Sequence, residues 1–351
     1  MLVLPYVLTF GALALWVVAL VWAWRQRPYY AVVLVLATAY CYFSEYCAIR
    51  IGKYYYGPLP LAFGPDTASA SDPIVRLLKF LHLQTTVGSC VAPNWRIPLG
   101  VIAVEGMLLF SIFRITNLLG PRRLVKPFLE GIIAINLDAF LDPAVAGSVW
   151  CAGSVPSQPT VGLNLWVWHT NETHMGYWFG VPLSNYAAWF GAVAVFAASV
   201  RVGEHYLTVG PTRFKAYRNA AIGLVLSLLF LLVAEFALKF ALDKVLYLKW
   251  FDSVRKLWQF GVIGALIAIS LFVIIRFGEF KSDAKIEWVT LAPQIFVFGF
   301  SIMALKYAFI HHPNGPLTIV ALVTSAIGLW FALSPFRKNY SLYLPSFKVG
   351  A

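Results

Sequence analysis

The chain has 351 residues, of which 60% are hydrophobic and only 12% are charged. Soluble domains carry about 45–50% apolar and about 25% charged residues, so this composition excludes a soluble globular protein and indicates an integral membrane protein. The formal net charge is +12, but the sequence offers no basic domain outside the membrane. Nucleic-acid binding is therefore excluded, and the Lys and Arg residues are expected to anchor the chain to the lipid bilayer surface.

Hydropathy and helix-breaking residues predict one all-α, polytopic helical bundle in the membrane, with about nine spans and seven as the lower bound. The first apolar run is too long for a signal-peptide core and has no basic residue before it, so we interpret it as the first span. The predicted spans are 3–24, 29–49, 97–118, 124–142, 182–200, 219–241, 258–277, 288–309 and 316–334.

The distribution of Lys and Arg predicts the orientation of the chain. More than half of the 27 basic residues fall on the cytoplasmic side if the N-terminus is outside and the C-terminus is cytoplasmic. Segment 146–181 has no Lys or Arg and is expected to face outward. The sequence thus predicts a multi-pass protein of the plasma membrane, with its oligomeric state left open.

The four cysteines show no metal-binding spacing. Cys41 and Cys47 lie in the second predicted span, where small buried fillers are expected. Cys90 and Cys151 lie in loops predicted on the same outer side, so a disulfide between them is one alternative.

Ionisable side chains inside predicted spans are the first candidates for function, because a charge in the bilayer interior is costly. At about 1.5 Å of rise per residue, polar residues of four spans share the outer half of the membrane. These residues are Glu45, Glu105, Asp138, Asp142 and Asn185. Glu130 is the exception, because it lies near the inner end of its span.

Asp138 and Asp142 are four residues apart and therefore share one helix face. Pro143 follows directly and is expected to kink or end the helix at Asp142. Asp142 should then lie near water, as a capping or a catalytic residue, with Asp138 buried more deeply. Glu105 has two alternative interpretations. It either pairs with an Arg or a Tyr hydroxyl for structural reasons or takes part in the site.

The outer segment before the fifth span is rich in tryptophan and also contains His169, Glu172 and His174. An aromatic belt at the membrane surface explains part of this composition. A metal site formed by these three residues is one alternative. In another interpretation, the aromatic rings form one wall of a site that holds an apolar substrate and a developing cation. This interpretation needs fewer coincidences than the metal site.

Four motifs occur in a defined order along this part of the chain. They are GKYYYG at 52–57, LDAFLDP at 137–143, Trp166 with Trp168, and GVPLSNYAAWF at 180–190. Together they resemble the membrane-integral carotenoid-biosynthesis family, whose characterised members are carotenoid 1,2-hydratases, including bisanhydrobacterioruberin hydratase. The resemblance covers a core of about residues 40–205, whereas 206–351 adds spans of open role to the same membrane domain.

The resemblance implies a hydro-lyase that adds water across the terminal C1–C2 double bond of an acyclic carotenoid, without a cofactor or a metal. Asp138 would donate the proton, Asp142 would take a proton from the attacking water, and Glu105 is the third catalytic candidate. Other carotenoid-pathway enzymes are possible partners. The expected substrate-binding residues are Glu45, Tyr54, Tyr56, Trp166, Trp168, His169, Trp178, Asn185 and Trp189.

Two other functions stay open. Asn136, Asp138 and Asp142 loosely resemble the diphosphate motif of a membrane prenyltransferase or carotenoid elongase, which also needs a second acidic cluster and several basic residues. A transporter would use the intramembrane acids as a proton or ion path, although no inverted repeat is visible. A di-iron enzyme is disfavoured because the six His residues are scattered.

Overall fold

The computed structural model describes most of the first 246 residues and a few short pieces beyond them. The described ranges are 3–50, 54–56, 61–63, 96–118, 125–150, 166–170, 177–178, 181–209 and 213–246. Outside them lie Cys90, Cys151, Glu172 and His174, together with nearly all of the predicted spans 258–277, 288–309 and 316–334.

Long helices make up most of the described chain. They are α1 (Val3–Gln26), α2 (Pro28–Arg50), α3 (Leu99–Leu118), α4 (Lys126–Val145), α5 (Leu183–Val209) and α6 (Arg213–Leu246). Each overlaps one of the first six predicted spans, although α5 and α6 extend beyond their predicted bounds. Within the described ranges, three segments are long and apolar enough to cross a membrane, namely Thr9–Gln26, Pro28–Ile49 and Leu99–Leu118. The described part of the chain is thus confirmed to be mostly helical, with three candidate membrane-spanning helices, and the nine-span bundle stays a prediction.

Helix α3 lies at the centre of the described bundle, packed against α1, α2 and α4, while α5 packs between α4 and α6. Close approach of α2 and α3 depends on Gly106, because a Cβ there would lie 2.3 Å from Thr38 Oγ1 and 2.8 Å from Thr38 Cα. Trp16 Nε1 on α1 donates to the same Thr38 hydroxyl at 2.8 Å. Three helices therefore meet around Thr38.

Short strands connect the helices. They are β1 (Tyr54–Tyr56), β2 (Ala62–Phe63), β3 (Ile97–Pro98), β4 (Ala146–Trp150), β5 (Trp166–Thr170), β6 (Tyr177–Trp178), β7 (Val181–Pro182), β8 (Ile286–Glu287) and β9 (Leu342–Tyr343). Strands β1, β5 and β4 form one sheet in that order, and the pairs β2–β3, β6–β7 and β8–β9 form two-stranded sheets.

The three-stranded sheet corrects the expectation of an entirely α-helical protein. Strand β1 is antiparallel to β5, with Tyr54 opposite Trp168 and Tyr56 opposite Trp166, whereas β4 runs parallel to β5. Aromatic and β-branched residues, which are frequent in β1 and β5, favour a pleated, half-buried surface.

The expectation that the helix ends at Asp142 is also wrong. Helix α4 continues through Pro143 to Val145 and passes directly into β4. Asp142 is only 4% exposed, compared with 7% for Asp138, so it is not the water-facing member of the pair. The physical reason is tertiary, since the sheet formed by β4 and β5 covers the helix end and brings Trp166 within hydrogen-bonding reach of Asp142.

Candidate active site

A cavity of about 130 Å³ lies among α1, α2, α3, α4 and α5, next to strands β1 and β5. All of the predicted site residues except His169 and Trp178 line it. The side chains of His169 and Trp178 lie outside the described part of the chain, as does the alternative metal group of His169, Glu172 and His174. Among the described residues, no group of three or more His, Cys, Asp or Glu side chains is arranged to hold a metal ion.

Asp138 and Asp142 are joined at the cavity wall by one amide from α5. Asn185 Nδ2 donates to Asp138 Oδ2 at 2.8 Å and to Asp142 Oδ2 at 2.6 Å. The two oxygens are therefore no more than two hydrogen-bond lengths apart. This geometry needs the one-turn spacing of the aspartates on α4, because only then do both carboxyl groups face the same residue of α5.

Glu45, near the end of α2, accepts hydrogen bonds at the single oxygen Oε2 from the hydroxyls of Tyr54 and Tyr56. Both tyrosines belong to β1, where alternate residues point to the same face of the strand. Burial, followed by the neighbouring Glu45 carboxyl, raises the pKa of Tyr54 and Tyr56 well above 10.0. Both phenols therefore stay protonated and available as donors.

Glu105 on α3 differs from the other three carboxyl groups of the cavity. In the described part of the chain, its buried Oε2 has no hydrogen-bond partner, so the expected pairing with an Arg or a Tyr hydroxyl is not seen at that oxygen. Glu105 interacts electrostatically with Glu45, Asp138 and Asp142. Four carboxyl groups from three helices thus converge on one small cavity.

The aromatic residues of β1 and β5 form one wall of this cavity. The ring centroids of Tyr54 and Trp168 are 4.5 Å apart, and those of Tyr56 and Trp166 are 6.1 Å apart in an edge-on arrangement. Trp189 on α5 adds a third indole. Aromatic faces attract cations through the ring quadrupole, so this wall suits a positive charge that develops next to the carboxyl groups.

Apart from Thr9, the remaining lining is apolar, and sequence reasoning did not identify it. It comes mainly from α3 and α4 and includes Leu108, Leu109, Ile112, Ala134 and Leu137. Apolar residues at spacings of three and four positions were the available signal. In an apolar helix, however, this pattern does not distinguish a cavity wall from a lipid-facing or packed surface.

A second polar cluster lies at the other end of the helices and was missed in part. Glu130, which sequence analysis set apart from the other acids, forms a buried salt bridge with Arg201, and Arg201 also donates to Asn117 Oδ1 at 2.5 Å and to Thr116 Oγ1 at 3.2 Å. The fifth span was predicted to end at residue 200, whereas α5 continues to Val209 and carries Arg201 inside it.

No family model, curated protein or solved structure matches the chain. The family resemblance of residues 40–205 therefore stays a prediction, and the functional interpretation depends on the cavity and its side chains.

Proposed function

We propose that the protein adds water across the terminal C1–C2 double bond of an acyclic carotenoid end group. The observation that carries this proposal is the Asp138–Asp142 pair, bound by the one amide of Asn185 in an otherwise largely apolar cavity. Acid-catalysed hydration of an isolated alkene needs this combination, because the alkene is apolar and a poor base while its protonation creates a full positive charge.

The size of the cavity supports an end group as the reacting part. An engineered apolar cavity of roughly 150 Å³ binds benzene, and the cavity here has about 130 Å³. It therefore suits the branched end of an isoprenoid chain together with a water molecule. The rest of a long, linear carotenoid would lie outside the cavity.

In the proposed reaction, Asp138 donates its carboxyl proton to C2, and the alkene electron pair forms the new C–H bond. The resulting tertiary cation at C1 faces the carboxylate of Asp142 and the rings of Trp166 and Trp168. Asn185 and Trp166 each place an N–H group within reach of Asp142, and both contacts stabilise negative charge on its carboxyl group. Water then captures the cation, and its released proton returns to the carboxyl cluster.

The cavity gives less support to prenyl transfer. A diphosphate group requires several Lys or Arg side chains, whereas none of the described residues that line the cavity is basic and four are acidic. The acidic residues could bind a diphosphate only through bridging Mg²⁺, and the described lining lacks the basic side chains that the diphosphate also needs. We therefore do not propose a prenyltransferase or a carotenoid elongase.

The test is to express the chain in a host that makes lycopene and to analyse the pigments by mass for hydroxylated end groups. Asp138→Asn should lower product formation by about 100-fold or more, since acid–base catalysis by one group contributes at least that factor. Asp142→Asn should lower it by about 100-fold, because it removes the negative charge that stabilises the cation. Glu204→Gln, in the polar cluster at the other helix end, is the control and should leave product formation unchanged.

Each variant has to be detected in the membrane fraction at the level of the unmodified chain. A fully active Asp138→Asn variant would refute the proposed acid. Unchanged end groups with the unmodified chain would refute the hydratase function and favour the transporter alternative.

A further inference from the structure

Two complementary polar atoms at the cavity have no partner within the described residues. They are Glu105 Oε2, a hydrogen-bond acceptor, and Trp168 Nε1, a donor on a side chain that is only 4% exposed. Both residues line the cavity. Buried polar groups are almost always hydrogen-bonded, so two unpaired atoms at one cavity indicate a binding site for a polar molecule.

Each of the other carboxyl groups of the cavity has one oxygen in a hydrogen bond. Glu45 Oε2 accepts from the hydroxyls of Tyr54 and Tyr56, and the Asn185 amide donates to one oxygen of each aspartate. Among the described carboxyl groups that line the cavity, only Glu105 has a fully buried oxygen without a hydrogen-bond partner.

Tyr54 connects the two unpaired atoms. Its ring packs against Trp168 with 4.5 Å between centroids, and its hydroxyl interacts electrostatically with Glu105. Glu105 and Trp168 therefore both interact with Tyr54 and both line the cavity. A molecule that both donates and accepts hydrogen bonds would satisfy the two unpaired atoms, and water needs only about 10–15 Å³ of space.

We propose that Glu105 and Trp168 bind the water molecule that captures the cation, and that Glu105 takes the proton of this water. The inference rests on the proposed hydration. In this step the water oxygen forms the C1–O bond, one water O–H bond breaks, and its proton goes to Glu105 Oε2. Transfer of that proton from Glu105 back to Asp138 restores the starting state, so the net change is the addition of one water and no oxidant or reductant is needed.

Separate sites for protonation and water capture have a measurable consequence. If the bound water is lost, the cation still forms but returns a proton instead of gaining a hydroxyl. In D₂O, the acid delivers deuterium to C2, and loss of H from C2 then leaves deuterium in pigment that was never hydrated. Hydration and deuterium incorporation therefore report on the two steps independently.

The experiment compares membranes that contain the unmodified chain, Glu105→Gln, Trp168→Phe or Asp138→Asn, supplied with lycopene in D₂O. We expect Glu105→Gln to lower hydration by roughly 100-fold and Trp168→Phe to lower it by about 10-fold, the equivalent of one hydrogen bond. Both should keep deuterium incorporation into unhydrated pigment, whereas Asp138→Asn should lose both signals. Mass spectrometry of the separated pigments measures both.

Trp22→Phe is the matched control, because Trp22 Nε1 is also buried and unpaired in the described chain but does not line the cavity. It should behave like the unmodified chain. Trp168→His restores an N–H group and should recover part of the hydration lost in Trp168→Phe. It also provides a second variant at this position if the first fails to insert.

Equal loss of hydration and deuterium incorporation in correctly inserted Glu105 and Trp168 variants would overturn the inference, because it would assign these residues to the protonation step. Unchanged hydration in both variants would also overturn it. If the unmodified chain forms no hydrated product, the proposed function fails, and the proposed water site fails with it. This outcome is distinguishable from the two above, because both of them require an active unmodified chain.

Discussion

At the scale of single residues, the hydrogen bonds from Tyr54 and Tyr56 to Glu45 attach the sheet to the helices. Both phenols belong to β1, and the accepting carboxyl group belongs to α2. The same strand positions Trp166 and Trp168 through its pairing with β5. The aromatic wall of the cavity is therefore held in place by two hydroxyl groups on a single carboxyl oxygen.

This attachment predicts a specific alkaline sensitivity. The fold raises the pKa of Tyr54 and Tyr56 above 10.0, so above that pH the unfolded chain loses these protons while the folded chain keeps them. The stabilisation is complete below about pH 10 and declines as the pH rises further. We expect the free energy of unfolding in detergent to fall more steeply above pH 10 for the unmodified chain than for Tyr54→Phe/Tyr56→Phe.

At neutral pH the double variant should be less stable by about 1–3 kcal/mol, the usual cost of leaving a buried polar group without its hydrogen bonds. If the free energy of unfolding depends on pH in the same way in both proteins, folding does not raise the pKa of these two tyrosines. That result would contradict the prediction.

At the scale of helices, one end of the described bundle contains the cavity, and the other end contains the polar cluster around Arg201. Arg201 lies sixteen residues after Asn185 on α5, which corresponds to about 24 Å along the helix. At this distance from the cavity, Arg201 links α5 to α4 through Glu130 and to α3 through Thr116 and Asn117. Its guanidinium also lies 4.4 Å from the centre of the Phe113 ring.

Breaking this link should affect stability and leave the chemistry intact. Arg201→Met would leave the carboxyl group of Glu130 buried without its partner, which typically costs about 3–5 kcal/mol. Replacing both residues, as in Glu130→Leu/Arg201→Met, should recover most of that loss because no uncompensated charge stays buried. Thermal unfolding of the purified variants measures both effects.

Product formed per inserted molecule should be unchanged in the double variant. If the double variant is as unstable as Arg201→Met, the ion pair contributes through its specific hydrogen bonds and not through charge compensation.

At the scale of the whole molecule, apolar side chains cover the outer faces of α1 and α6. Phe10 and Trp24 on α1 are 53% and 62% exposed, and Phe230 and Val233 on α6 are 72% and 69% exposed. Such faces are costly in water and favourable in lipid. The distribution agrees with the central position of α3, whose phenylalanines are buried.

A photoreactive lipid should therefore label the described helices unequally. In reconstituted membranes, we expect peptides containing Phe10 or Phe230 to carry the label and the peptide containing Phe110, which is only 1% exposed, to carry little. Mass spectrometry after digestion gives the ratio. Equal labelling of all three peptides would contradict the packing of α3 inside the bundle, and labelling of none would contradict insertion into the bilayer.

The sequence by itself was enough to predict helices at six positions and to select Asp138, Asp142, Asn185, Glu45 and Glu105 as residues at a common depth. This was possible because the bilayer makes charge costly, so polar residues in apolar runs stand out and a regular helix converts their spacing into depth.

Other features were decided only by the tertiary structure. Asp142 is buried because a sheet covers the end of α4. The Glu45 carboxyl group accepts hydrogen bonds from tyrosines of another segment, and Arg201 forms a salt bridge with Glu130. Among the acids that line the cavity, Glu105 is distinguished by a buried oxygen that has no partner in the described part of the chain. Each of these depends on contacts between segments far apart in the chain, and hydropathy and helical spacing carry no information about such contacts.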